Sequence, residues 1–140
     1  IDSLGLGAAL RSCTRDWAER TGMSLTLDLD SNLGRMPEAI ELSIFRIVQE
    51  GLNNVHKHAG ASAVQVCLKH TSPRTLMLSI ADNGKGFEDG FDLSAFSAEG
   101  HYGLLGVSER VALLGGRLKL QNQDGGGLLL QVEIPHPRVV

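Results

Sequence analysis

Five segments of alternating apolar and polar residues, and three with apolar residues every three or four positions, predict an α/β (α+β) two-layer sandwich. Its sheet is mixed and of about five strands, covered on one face by three helices. Residues 4–20 form the first helix, because Leu6, Leu10, Cys13 and Trp17 fall at spacings of four, three and four, and Gly22 stops it. Met23, Leu25, Leu27 and Leu29 then alternate with polar residues in a half-buried strand. Ser31 to Met36 form a loop, and Pro37 suits a first helical position, where its missing N–H costs nothing. That helix runs to about His58 and ends near Gly60. Val64, Val66 and Leu68 mark the second strand, and Ser72-Pro73-Arg74 turns the chain. Leu76, Leu78 and Ile80 mark the third. A glycine-rich stretch leads into a helix over about 104–114, closed by Gly115-Gly116. Leu118 and Leu120, then Leu128, Leu130, Val132 and Ile134, mark two final strands joined across Asp124-Gly125-Gly126-Gly127. Each strand keeps one polar-leaning face, so the helices are expected on the other.

The chain has 140 residues, one domain's worth, with 42% hydrophobic and 21% charged residues, which argues against a disordered segment. A net charge of −3 gives no strong electrostatic case for nucleic acid or an anionic membrane, and leaves only a local patch open. No apolar run approaches the roughly 20 residues of a membrane span. Cys13 and Cys67 form no CxxC, and a reduced, intracellular thiol pair is the default. The chain opens Ile1-Asp2-Ser3 without an initiator Met or a signal-like segment, so it reads as a piece of a larger protein. Of seventeen glycines, eleven fall between Gly84 and Gly127.

Three places break the structural pattern. On the central helix, Ile40, Ile44, Ile47, Val48, Gly51 and Val55 make the core stripe. Glu50, Asn54, Lys57 and His58 make a second stripe directly beside it, at i, i+4, i+7 and i+8. Arg46, Gln49, Asn53 and His56 fall on the solvated side. An acid, an amide oxygen and cations at the edge of a core could grip a charged ligand and its metal; ordinary i,i+4 pairing and capping explain them equally well. Asp82 shares a face with Leu76, Leu78 and Ile80, so a carboxylate points inward at a strand end, before the turn residues Asn83, Gly84, Lys85 and Gly86. Turn capping accounts for it as well as a ligand does. Gly100-His101-Tyr102-Gly103-Leu104-Leu105-Gly106 opens the last helix, where free N–H groups and bare glycine backbone suit phosphate, or form a plain connector. No P-loop and no GxGxxG after a strand occurs. Between these, Phe91, Leu93 and Phe96 punctuate a polar stretch that reads as a lid with apolar anchors, or as a loose loop.

Taken in order, Glu50-x-x-Asn53-Asn54-x-x-Lys57-His58, then Asp82-Asn83-Gly84-Lys85-Gly86-Phe87, then His101-Tyr102-Gly103-Leu104-Leu105-Gly106-Val107-x-Glu109-Arg110, resemble the N, G1 and G2 boxes of sensor histidine kinases. The His-Tyr-Gly-Leu and Glu-Arg pieces look most like the nitrate-sensor-like (HisKA_3-associated) branch. The resemblance spans roughly residues 1–136 and implies a single catalytic, ATP-binding domain of the GHKL class with the Bergerat fold, residues 87–102 forming the ATP lid.

By that resemblance, Asp82 accepts from the adenine amine, and Gly84 and Gly86 give the base close access to backbone. Asn54 holds Mg²⁺ through its amide oxygen, with triphosphate and water completing the shell. Lys57 and His58 neutralise phosphate, amides at Gly103, Leu104 and Gly106 contact the phosphate chain, and Glu50 is a base or orienter. The five histidines precede Lys57, Ala59, Thr71, Tyr102 and Pro137, none an acid, so none resembles the family's acceptor. The implied activity is transfer of the γ-phosphoryl of Mg-ATP to a histidine on a separate dimerisation domain, with a response regulator downstream. This piece alone would be monomeric, cytoplasmic and unable to phosphorylate itself; the parent would be a homodimer, membrane-anchored or not. A serine kinase or anti-sigma-type switch on the same fold, and a nucleotide-sensing domain without turnover, are the alternatives.

Overall fold

The computed structural model describes residues 5–31, 33–85, 104–123 and 125–135. Helix α1 (Gly5–Thr21) buries Leu6, Leu10, Thr14 and Trp17, while Cys13 stays only half-buried. Thr14, not Cys13, enters the core because its hydroxyl donates to the Leu10 carbonyl at 2.8 Å, which removes the penalty of burying it. Strand β1 (Ser24–Leu29) follows. Helix α2 (Glu38–Asn54) starts one residue later than expected. Pro37 is its cap: with ψ at 142° it is non-helical, yet its carbonyl already accepts from the Ile40 and Glu41 amides.

After Asn54 the helix does not continue in α form to His58. A π-helical turn (Val55–Ala59) takes over and stops at Gly60, whose φ of 61° is left-handed. Strands β2 (Ala63–Ser72) and β3 (Thr75–Asp82), helix α3 (Leu104–Leu113), and strands β4 (Arg117–Asn122) and β5 (Leu128–Pro135) complete the order.

The sheet runs β1-β2-β3-β5-β4, with β1 parallel to β2 and every other pair antiparallel, a mixed sheet of five strands as expected. Registers of Leu25 with Val64, Val66 with Ile80 and Leu78 with Val132 keep the buried positions on one face. There α2 lays down Ile44, Ile47, Val48 and Leu52, and α3 adds Val107 and Val111. Gly51 lets α2 lie close on β3: a Cβ there would stand 2.6 Å from Ile80 Cδ1, two residues before Asp82. Among the described residues no helix is long and apolar enough to cross a membrane.

One core feature escaped the reading of the sequence. Glu41 is fully buried, its carboxylate accepting from Met36 N at 3.1 Å and from Arg35 Nε and Nη2 at 3.2 and 3.3 Å. These bonds tie the loop before α2 to its first turn. Arg35→Ala should cost about 2 kcal/mol in urea unfolding, because it leaves a buried carboxylate with a single donor, and the 60% exposure of Arg35 moderates the loss. A loss below about 0.5 kcal/mol would mean that water replaces the guanidinium.

Candidate functional site

Strand alternation carries Asp82 inward at the end of β3, where it is 4% exposed. Its Oδ1 accepts from Gly84 N at 2.8 Å and from Leu128 N at 3.3 Å. Among the described residues both of its hydrogen bonds end on that one oxygen, which leaves Oδ2 to accept from something else. The turn-capping role and an inward-facing acceptor therefore coexist in one side chain. Gly84 serves the turn by donating to Asp82. Asn83 staples the same strand end to β2: its Oδ1 accepts from Ser62 N and Ala63 N at 2.9 and 3.0 Å, and its Nδ2 donates to Ser62 Oγ at 2.9 Å.

The β4–β5 hairpin braces Asp82 from the other side, and the sequence reading treated it only as a connection. Gln123 Nε2 donates to the Asp82 carbonyl at 2.7 Å. Gly127 sits at φ +104°, and a Cβ on it would overlap that carbonyl. The run Gly125-Gly126-Gly127 was the available signal, since a close backbone approach is one reason for glycine.

Asn54 ends α2 at 8% exposure, and its Oδ1 is buried without a hydrogen-bond partner among the described residues. An orphaned amide oxygen is costly, and a bound cation would repay it. The described residues gather no cluster of three or more His, Cys, Asp or Glu side chains for a metal. One neutral amide oxygen therefore fits Mg²⁺, a hard ion that keeps waters and takes substrate phosphates, and does not fit a metal needing an all-protein cage.

Lys57 is exposed on the π-helical turn. That turn closes i→i+5, so Lys57 does not follow Glu50 and Asn54 at α-helical angles, and the expected single stripe is broken after Asn54. The His58 side chain, Gly86, Gly103, the Leu104 side chain and the expected lid over 87–102 lie outside the described residues.

Glu50 turns toward α3. Its Oε1 accepts from Arg110 Nε at 3.2 Å, and its Oε2 is buried without a hydrogen-bond partner among the described residues. Gly106 makes room: a Cβ there would stand 2.7 Å from Oε2. Gly106 thus serves Glu50 as well as any phosphate contact.

A cleft of about 1120 Å³, lined by neither Asp82 nor Asn54, lies between α1 and α2, walled by Cys13, Trp17, Phe45, Gln49 and Asn53 and reaching Glu50 and Arg110. The α2 side expected to be fully solvated is thus partly a wall, and Gln49 is only half exposed. Burial, and then the Asp16 carboxylate, raise the Cys13 thiol above its ordinary pKa, so it is no ready nucleophile at neutral pH.

Residues 39–138 match the family model described as histidine kinase-, DNA gyrase B-, and HSP90-like ATPase. The signal transduction histidine-protein kinase/phosphatase DegS of Brevibacillus brevis is 35% identical over 135 residues, 96% of this chain and 33% of that protein. The oxygen sensor histidine kinase NreB of Staphylococcus carnosus is 30% identical over 135 residues, 96% of this chain and 38% of that protein. The chain thus spans about a third of the curated relatives it matches. The crystal structure of the ATP binding domain of PrrB from Mycobacterium tuberculosis superposes with a TM-score of 0.71 at 27% identity, covering 95% of both chains.

Proposed function

The chain belongs to the histidine kinase-, DNA gyrase B-, and HSP90-like ATPase family and is homologous to the catalytic, ATP-binding domains of sensor histidine kinases; on that premise we propose that it binds Mg-ATP and passes the γ-phosphoryl to a histidine on a separate dimerisation domain of its parent. The observation that carries this reading is the pair of buried polar groups, Asp82 at the end of β3, whose two side-chain hydrogen bonds among the described residues both end on Oδ1, and Asn54 at the end of α2, whose Oδ1 has no hydrogen-bond partner among them. From the phosphohistidine, a response regulator is the expected next acceptor, and the parent is expected to act as a homodimer.

Asp82 Oδ2 accepts from the adenine amine while Gly84 and Leu128 fix Oδ1, so the base is read by a carboxylate that cannot rotate away. Gly84 and Gly86 let the base approach the backbone. Asn54 Oδ1 is the protein ligand to Mg²⁺, which when bound neutralises charge on the phosphates. Lys57 and His58 add positive charge, and the amides of Gly103, Leu104 and Gly106 bind the phosphate chain at the start of α3. One nitrogen of the acceptor imidazole attacks the γ-phosphorus with its lone pair, and ADP leaves with the bridging oxygen. Glu50 orients the ring and takes the proton from its other nitrogen. Catalysis here is mainly positioning and electrostatics.

The test is transfer in trans, from labelled Mg-ATP and this chain to the parent's histidine-bearing helical domain. An acid-labile phosphoryl product supports a histidine kinase. An acid-stable one means a serine kinase of the same fold, and none means a nucleotide sensor. Asn54→Ala should weaken ATP binding at least about tenfold with Mg²⁺ and less than about twofold without it. Calorimetry showing equal losses would remove Asn54 from the metal.

A further inference from the structure

Arg110 closes a motif that the proposed chemistry leaves unused. Gly106 and Arg110 stand one turn apart on α3 and face the same glutamate on α2, sixty residues earlier in the chain. Arg110 Nε binds one oxygen of Glu50 at 3.2 Å; the missing Cβ of Gly106 gives the other oxygen its space, and that oxygen is buried with no hydrogen-bond partner among the described residues. A glutamate left to itself would rotate both oxygens toward donors or water. Here a charge-assisted bond holds one while the other stays unused.

The pair adds little to folding. Arg110 and Glu50 are 36% and 30% exposed, and an ion pair so open to water is worth little to stability. What it does accomplish is to fix a rotamer.

We propose that Arg110 is a positioning residue: by binding Oε1 it holds the Glu50 carboxylate in the rotamer from which it takes the proton of the attacking imidazole. In the step, the ring's second nitrogen loses its proton to the Glu50 carboxylate as the first forms its bond to phosphorus and ADP leaves with the bridging oxygen. Arg110 transfers nothing and touches no substrate. This inference rests on the role given to Glu50 above, and the experiment separates the two.

In the trans-transfer assay, Arg110→Ala should lower kcat about ten- to thirtyfold, with KM for ATP, calorimetric ATP affinity and Tm nearly unchanged, because binding is left intact. Arg110→Lys, which restores a cation without the fixed fork, should recover a substantial part of the rate. Glu50→Gln should lower the rate at least as much, and Arg110→Ala combined with Glu50→Gln should be no slower than Glu50→Gln alone, since a positioning group has nothing left to position. Multiplying losses in the double variant, or parallel losses of kcat and ATP affinity in Arg110→Ala, would overturn the assignment of Arg110. Full activity in Glu50→Gln would overturn the role of Glu50 and this inference with it, while transfer by the wild-type chain would leave the kinase reading standing.

Discussion

Replacing Asp82 with asparagine should leave the domain folded and weaken Mg-ADP binding at least about a hundredfold, close to 2.7 kcal/mol. The asparagine carbonyl can still accept from Gly84 N and Leu128 N, so the turn and the start of β5 keep their bonds. What changes is the second group: a carboxylate oxygen that accepts becomes an NH₂ that donates, set against the donating amine of adenine. A site built around one hydrogen-bond sense discriminates strongly because the mismatch leaves buried groups unpaired. At a nucleotide concentration a hundred times the wild-type dissociation constant, ligand linkage raises wild-type stability by about 2.7 kcal/mol, several degrees in a thermal scan. Asp82→Asn should show almost none of that shift. Asp82→Ala should lose it as well, with an added drop in basal Tm because two backbone N–H groups lose their acceptor. A normal shift in Asp82→Asn would remove Asp82 from the adenine pocket.

Gly127→Ala should be the most damaging conservative substitution in the β4–β5 hairpin, costing about 3–4 kcal/mol by denaturant unfolding. Two penalties act together. The residue sits at φ +104°, where an L side chain is strained, and its new methyl would overlap the carbonyl of Asp82. Gly125→Ala is the control: at φ +84° it carries backbone strain, but nothing lies within 4 Å of its Cβ, and it should cost only about 1 kcal/mol. The difference between the two isolates the contact with Asp82. Because that contact braces Asp82, the proposed adenine acceptor, Gly127→Ala should also weaken Mg-ADP binding under conditions where it remains folded. Equal costs for the two glycines would show that the hairpin moves aside freely and does not brace the site.

Periodicity placed α1, α2 and the five strands, and flanking glycines placed α3, since burial of one side chain is a local property written into each segment. The parity of Leu76, Leu78, Ile80 and Asp82 already turned the carboxylate inward before any contact was known. Where the reading slipped, a competing interaction decided. Thr14 displaced Cys13 from the core by satisfying its own hydroxyl, Pro37 capped α2 instead of entering it, and a π turn broke the Glu50–Lys57 stripe. Glu41, which the pattern of the sequence did not single out, is the buried anchor of Arg35 and of the Met36 amide.

From the sequence by itself came the sandwich, the inward acid of β3, the amide at the end of α2 and the three ordered boxes, all of them properties of segments. Only the tertiary structure decided which groups meet: Arg110 with Glu50, Gln123 and Gly127 with the carbonyl of Asp82, and Gly51 against Ile80. The reason is that a hydrophobic period records how deeply a residue sits and says nothing of its neighbour across the fold. Hydrogen bonds and close backbone approaches are set by pairs, here up to sixty residues apart along the chain, and pairs exist only once helix and sheet have packed.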